Sequence, residues 1–135
     1  PVPSTGDAEG YADVAQAVFS RGGLTEYVAV SMRDSASASD NTFSGALYVR
    51  TGGDSFETYA GPSFRIDEVV DRVGTGDAFA AGIIDGLARG ADPQRTVEVA
   101  VALAALNHTT HGDFSRFGRA DCERLLADRS GRIVR

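Results

Sequence analysis

The chain has no lysine; all 13 of its basic residues are arginine. That excludes a Walker-type phosphate loop, which needs a lysine directly after its glycines. Two explanations of the missing lysine stand side by side: a GC-rich coding sequence, or an acidic surface suited to a salty cytosol. Positive charge is also in deficit, with a formal net charge of −6, so a nonspecific nucleic-acid binder, which needs a basic face, is not expected. The single cysteine, Cys122, cannot form an internal disulfide, which fits a reducing compartment. There is no run of about 18 apolar residues and no charged stretch leading into an apolar one at the start, so neither a membrane span nor a secretory signal is expected. A cytoplasmic location follows as the expectation. Internal repeats and low-complexity segments are absent as well.

What remains is ordinary for a globular protein: 135 residues, 42% hydrophobic and 24% charged, enough for one compact domain or a piece of a larger one. Residues 1–10, rich in Pro and Gly, read as a linker or cut end. In 11–20 a helix places Tyr11, Val14, Ala15, Val18 and Phe19 on one face and stops at Gly22-Gly23. The β-branched run 26–32 predicts a buried strand, and the polar stretch 33–43 a loop at its end, where open α/β sheets bind ligands. Segments 45–50 and 55–60 flank "TGGD" as a hairpin.

Residues 64–71 lead into "DRVGTGDAFAAG" (71–82). A helix over 76–87 follows, with Phe79, Ile83 and Leu87 on one face and Ala78, Ala80, Ala81 and Gly82 allowing close packing. A second helix starts at Asp92-Pro93, a cap and a first-turn proline, and its stretch from Val97 to Leu106 should be buried on most sides. A loop over 108–118 and an amphipathic helix over 119–129, with Cys122, Leu125 and Leu126 inward, complete an α/β pattern.

The glycines of 74–76 precede a helix, where backbone N–H groups form an anion site and glycine lets the anion approach. A phosphoryl group in transfer needs such donors, and it needs a base on the attacking hydroxyl. Asp77 stands one residue beyond the donors, where it could orient that hydroxyl and take its proton late. On spacing alone, a carboxylate favouring a helix dipole accounts for the same residues without chemistry. It is not a dinucleotide fingerprint, because Phe79 occupies the third glycine position.

The wider string "VVDRVGTGDAFAAGIIDGL" resembles the C-terminal signature of the ribokinase-like (PfkB) carbohydrate kinases. The stretches "SMRDSASASDNTFSGALY" (31–48) and "NHTTHGDFSRF" (107–117) are similar to those of its 2-keto-3-deoxygluconate kinases, and the resemblance extends across most of 27–126. It implies a three-layer α/β/α fold of which this chain would be the C-terminal, nucleotide-binding half. It further implies Gly74, Thr75 and Gly76 as the anion hole, Asp77 as catalytic base, and Asp113 on the sugar acid. Ser31 and Arg33 would lie on the nucleotide-phosphate side, and Val101 in the adenine wall. ATP and magnesium are the implied cofactors; a monovalent cation on Asp71 and the Val73 carbonyl is open, as is a turn-capping role for Asp71. The parent enzyme could be homo-oligomeric. The family's N-terminal sugar-binding sheet, lid and Asn-x-x-Glu motif have no counterpart in 1–135, and members are expected to be about twice as long.

The implied activity is ATP-dependent phosphorylation of 2-keto-3-deoxygluconate at its terminal hydroxyl. The alternatives are another ribokinase-like sugar kinase, or a nucleotide-binding module without turnover. His108 and His111, with Asp113 near, fall short of a zinc set and read as loop residues beside the nucleotide. Asp7, Glu9 and Asp13 read as a solvated helix start, Asp67 and Glu68 as strand-edge residues without chemistry, and Cys122 as packed.

Overall fold

The computed structural model describes residues 8–21, 23–37, 40–128 and 131–133. Residues 1–7 of the expected linker, Asp7 among them, lie outside the described residues, as does Gly22, whereas Glu9–Tyr11 form a short 3-10 helix leading into the first α-helix.

The framework is a long antiparallel hairpin. Strand β1 (Tyr27–Ser37) pairs with β2 (Asp40–Gly52) from Tyr27↔Val49 to Ser37↔Asp40. The other edge of β2 is shared. Its first part takes β4 (Phe64–Ile66), through Asn41↔Ile66 to Phe43↔Phe64, and its second part takes β3 (Ser55–Ala60). The predicted "TGGD" turn joins β2 to β3, with Gly53 at φ +53°. The short strand β5 (Arg132–Ile133) adds to β4 in parallel, and Asp67 binds both Arg65 and Arg132 across that pair.

Two expectations are corrected here. Residues 33–43 are not a loop: they are the two arms of the hairpin, apart from 38–39, which lie outside the described residues. Their Ser, Asp and Asn content mimics a loop, and β1 is an edge strand of this sheet. Nor is 26–32 a buried strand. Tyr27, Ala29 and Ser31 are exposed, and only Met32 is buried.

Period-two alternation along β2 separates the two faces of the sheet. Phe43 and Leu47 enter the larger core, with Phe79 and Ile83 of α2 (Thr75–Ala88) and Val97 and Val101 of α3 (Pro93–Asn107). Ala46 and Tyr48 face the other way, onto Ala15 and Phe19 of α1 (Ala12–Arg21). Helices thus cover both faces, giving the expected three layers. Only half of the predicted α1 face is inward, since Val14 and Val18 remain 44% and 39% exposed. Arg50 closes this side, donating to Phe19 O at 2.6 Å at the end of α1 and to Thr25 O at 2.7 Å.

The last helix, α4 (Arg119–Ala127), packs on α3 with Cys122 buried, and Asp85 of α2 pairs with Arg119 at its start. Burial pushes the Cys122 thiol pKa up, so the packed reading holds. Asp92 caps α3, accepting from Arg95 N at 3.1 Å with Pro93 following.

Helices α2 and α3 approach closely because two glycines leave room. A Cβ on Gly82 would stand 2.6 Å from Ala100 Cα, and one on Gly86 would stand 2.5 Å from Thr96 Oγ1. Ala80 and Ala81, expected in that contact, are exposed instead. The glycine at 82 abuts backbone, which cannot swing aside, so Gly82→Ala must push the helices apart. The expected cost is about 1–3 kcal/mol, the scale of overpacking a well-filled core. Urea unfolding followed by circular dichroism measures it; an unchanged midpoint would mean the helices are not in this contact in solution.

Candidate anion-binding turn

The turn before α2 is assembled by one carboxylate. Asp71 Oδ1 accepts from the amides of Arg72 (2.7 Å) and Val73 (3.0 Å), and Oδ2 accepts from the Gly112 amide at 3.0 Å. These three hydrogen bonds hold its carboxyl below the usual aspartate range. They also stitch the 112–114 loop to the start of α2. The Val70 amide, bonded to His108 O at 2.9 Å, anchors the segment to the end of α3.

Gly74 is required by this geometry. It has φ +75°, and a Cβ there would meet Asp113 O at 2.6 Å and Asp113 Cα at 2.8 Å. Gly76 is different: it is exposed, lacks a positive φ, and nothing approaches its would-be Cβ within 4 Å. The fold therefore needs a glycine at 74 and leaves the one at 76 open to an incoming group. The first intrahelical bond is Ala78 N to Gly74 O, at 2.8 Å. The amides ahead of it have no helical carbonyl to reach, which is the electrostatic condition for holding an anion.

Around these amides the structure brings together Asp77, exposed in the first turn of α2, and Asp113, exposed on the loop packed against Gly74. Thr75 is buried, and its side chain faces inward: the hydroxyl donates to Arg72 O at 3.0 Å and accepts from Arg33 Nη2 at 2.9 Å. Arg33, expected on the phosphate side, is thus turned onto Thr75 and His108, with Nη2 at 3.1 Å from His108 Nε2. Ser31 is exposed on β1, opposite Gly45 and two residues from Arg33, hence on the same face.

Val101 needs correction as an adenine wall. It has no exposed surface and packs beneath Gly45 and Gly61, whose would-be Cβ atoms fall 3.0 and 2.7 Å from its Cγ2. Its methyls fill the close approach of sheet to helix and leave no face for a ligand.

His108 was expected in a loop beside the nucleotide. It is instead enclosed at the end of α3, 1% exposed, with its ring against Phe43 and Nδ1 at 2.8 Å from Ala104 O. Asn107, next to it, is also fully buried and donates to Val73 O at 3.4 Å. Sequence reasoning missed this polar layer of Asn107, His108 and Thr75. The one available signal was that "NH" directly continues an apolar helical run.

Both Asp71 oxygens accept from backbone amides, the turn-capping arrangement, and the Val73 carbonyl accepts from Asn107 Nδ2 at 3.4 Å. Among the described residues no three His, Cys, Asp or Glu gather as a metal cage, and no helix is long and apolar enough to cross a membrane. A cleft of about 420 Å³ between α4 and β5, lined in part by Leu106, Phe117, Arg124 and Ile133, lies apart from the turn.

Fold and turn together define an α/β protein with an open helix N-terminus flanked by two carboxylates. The description "pfkB family carbohydrate kinase" matches residues 43–116, more than half of the chain, and the chain belongs to that family. A 2-dehydro-3-deoxygalactonokinase of Haloferax volcanii is 38% identical over 82 residues, 61% of this chain and 24% of that protein. The crystal structure of a 2-dehydro-3-deoxygluconokinase from Thermotoga maritima superposes with TM-score 0.77 at 34% identity, over 88% of this chain and 34% of that one. A PfkB family carbohydrate kinase from Listeria grayi gives TM-score 0.78 at 30% identity, over 90% of this chain and 39% of that one. The chain thus spans about a quarter to two fifths of these relatives, less than the half expected from the resemblance.

Burial, opposed by the Ala104 hydrogen bond and aided by Arg33 and Arg72, lowers the His108 pKa from 6.5 to about 4. A base with a depressed folded pKa contributes stability that is complete above its unfolded pKa and lost as pH falls toward the folded one. Between pH 7 and 4.5 the chain should lose about 2–3 kcal/mol of stability through this group. Urea midpoints at the two pH values test it. His108→Gln should lack this component, and a wild type equally stable at both would refute an enclosed neutral imidazole.

Proposed function

We propose that this chain forms the nucleotide-phosphate side of an ATP-dependent kinase for 2-keto-3-deoxy sugar acids. The observation that carries the proposal is a helix start whose amides at 75–77 precede the first intrahelical bond, with an unobstructed Gly76, Asp77 in its first turn and the Asp113 backbone packed against Gly74. Amides at a helix start favour charge that develops on a transferring phosphoryl. Asp77, beside them, would orient the attacking terminal hydroxyl and accept its proton. Asp113, across the Gly74 contact, would accept hydrogen bonds from sugar hydroxyls. Magnesium, carried largely by the ATP phosphates and water, would neutralise phosphate charge when bound, with Asp77 and Asp113 the carboxylates available to it at this turn. Ser31, exposed on β1, would face the nucleotide.

Gluconate-type and galactonate-type acids are epimers, and the relatives include kinases named for each. We take 2-keto-3-deoxygluconate as the first substrate to test and its galactonate epimer as the second. The sugar-binding residues that separate them would lie largely in the part of the relatives that this chain does not span.

Three outcomes follow. The chain alone should bind ATP but show no sugar-dependent ADP release, because transfer requires both reactants to be positioned. A coupled assay showing turnover near that of a full-length relative would refute this. In a chimera carrying residues 8–133 in place of the matching third of the Thermotoga maritima relative, Asp77→Asn should keep nucleotide affinity and cut turnover by about 100-fold or more. Unchanged turnover would return Asp77 to a helix-dipole role. In the same chimera Asp113→Ala should weaken the sugar acid by about 1–3 kcal/mol and leave the KM for ATP nearly unchanged. A change confined to ATP would move Asp113 to the nucleotide side.

A further inference from the structure

Behind the turn lies a relay that the phosphate reading does not use. The Ala104 carbonyl can only accept, so His108 carries its proton on Nδ1 and offers the Nε2 lone pair to Arg33 Nη2. The same Nη2 reaches Thr75 Oγ1, and the Thr75 hydroxyl reaches Arg72 O. The relay therefore runs from the end of α3, across β1, to the first residue of α2.

Its charge is unusual. The charged groups facing the imidazole are Arg33 from β1 and Arg72 from the segment before α2, while α3 and β2 present Ala104 O and Phe43. Among the described residues no carboxylate pairs with either guanidinium: Arg72 donates to Asn41 Oδ1, and Arg33 Nε is buried without a partner. Leaving a half-buried cation on neutral acceptors costs stability that a carboxylate would recover. A carboxylate there, however, would set negative charge behind amides that must receive an anion. A neutral imidazole holds the arginine and leaves its positive charge uncancelled.

We propose that His108 is a positioning residue for the 74–77 turn: its Nε2 holds Arg33, and Arg33 fixes Thr75 and the helix start whose amides face the phosphate. The proposal rests on the phosphate reading above, and the test separates the two. The 135-residue chain is titrated with ADP and magnesium while the amide resonances of Thr75 and Gly76 are followed with and without ligand. His108→Leu fills the space but offers no acceptor, whereas His108→Gln retains one.

The Leu variant should shift both resonances in the free protein and weaken ADP by about tenfold, the scale of a lost hydrogen bond to a charged group. The Gln variant should stay within about threefold of wild type. Arg33→Met, which also removes the positive charge, should weaken ADP at least as much as His108→Leu, and adding His108→Leu to it should cost nothing further, as for two members of one chain of contacts. Should His108→Leu fail to fold, Arg33→Met beside His108→Gln carries the same comparison. A folded Leu variant with unmoved resonances and unchanged affinity overturns the relay and leaves the phosphate reading standing. Equal losses in the Gln and Leu variants also overturn it, since packing alone would then explain them. If wild type binds no ADP while the Leu variant still moves both resonances, the phosphate reading falls and the mechanical link stands.

Discussion

The Asp71 carboxylate, shared among three amides, is the contact on which the site depends. It ties the segment before α2 to the loop after α3, two stretches about 40 residues apart in sequence (Asp71 to Gly112). This tie is the bond nearest the Asp113–Gly74 contact, and it works alongside the Val70–His108 and Asn107–Val73 bonds that join the same two segments. The tie also explains the glycine at 74, because only a residue without Cβ fits between the helix start and the Asp113 backbone. An acid beside an anion-accepting turn is thereby reconciled: the Asp71 carboxylate stays ionised, with its oxygens turned onto three backbone amides that hold the turn in shape.

Rigidity below the turn comes from the α2–α3 contact. Gly82 and Gly86 bring α2 onto α3, and the end of α3 delivers Asn107 and His108 to the underside of the turn. The hairpin contributes from the other side, where Arg33 reaches Thr75 from β1. Three elements remote in sequence thus converge on residues 72–75, while the outer surface at 76–77 stays open. That asymmetry, closed beneath and open above, is what an anion site on a rigid scaffold requires.

The helices and their limits were legible in the sequence because periodicity, the Asp92-Pro93 start and the "TGGD" turn act locally. The polar strand arms of 33–43 were not, because their Ser, Asp and Asn residues carry turn chemistry locally, and their pairing with each other and with β4 is not a local signal. The division between Gly74 and Gly76 was equally hidden. The sequence shows two similar glycines, and only the position of Asp113 tells which one the fold consumes. The polar layer of Thr75, Asn107 and His108 escaped for a related reason: burial of a polar side chain depends on partners from other elements, and Arg33 lies 75 residues from His108. Family resemblance named Asp77 and Asp113, and the structure sets them beside the same turn.

The central claim is that the 74–77 amides receive the transferring phosphoryl. Its most direct test is a crystal structure of the chain with ADP, magnesium and aluminium fluoride, a mimic of phosphoryl in flight. The account predicts the fluoride group seated on the amides at the start of α2, within hydrogen-bond reach of the Gly76 N–H, with the Asp77 carboxylate on its open side. A fluoride group bound away from that turn, or held by the Arg33 guanidinium with the amides unengaged, would contradict it.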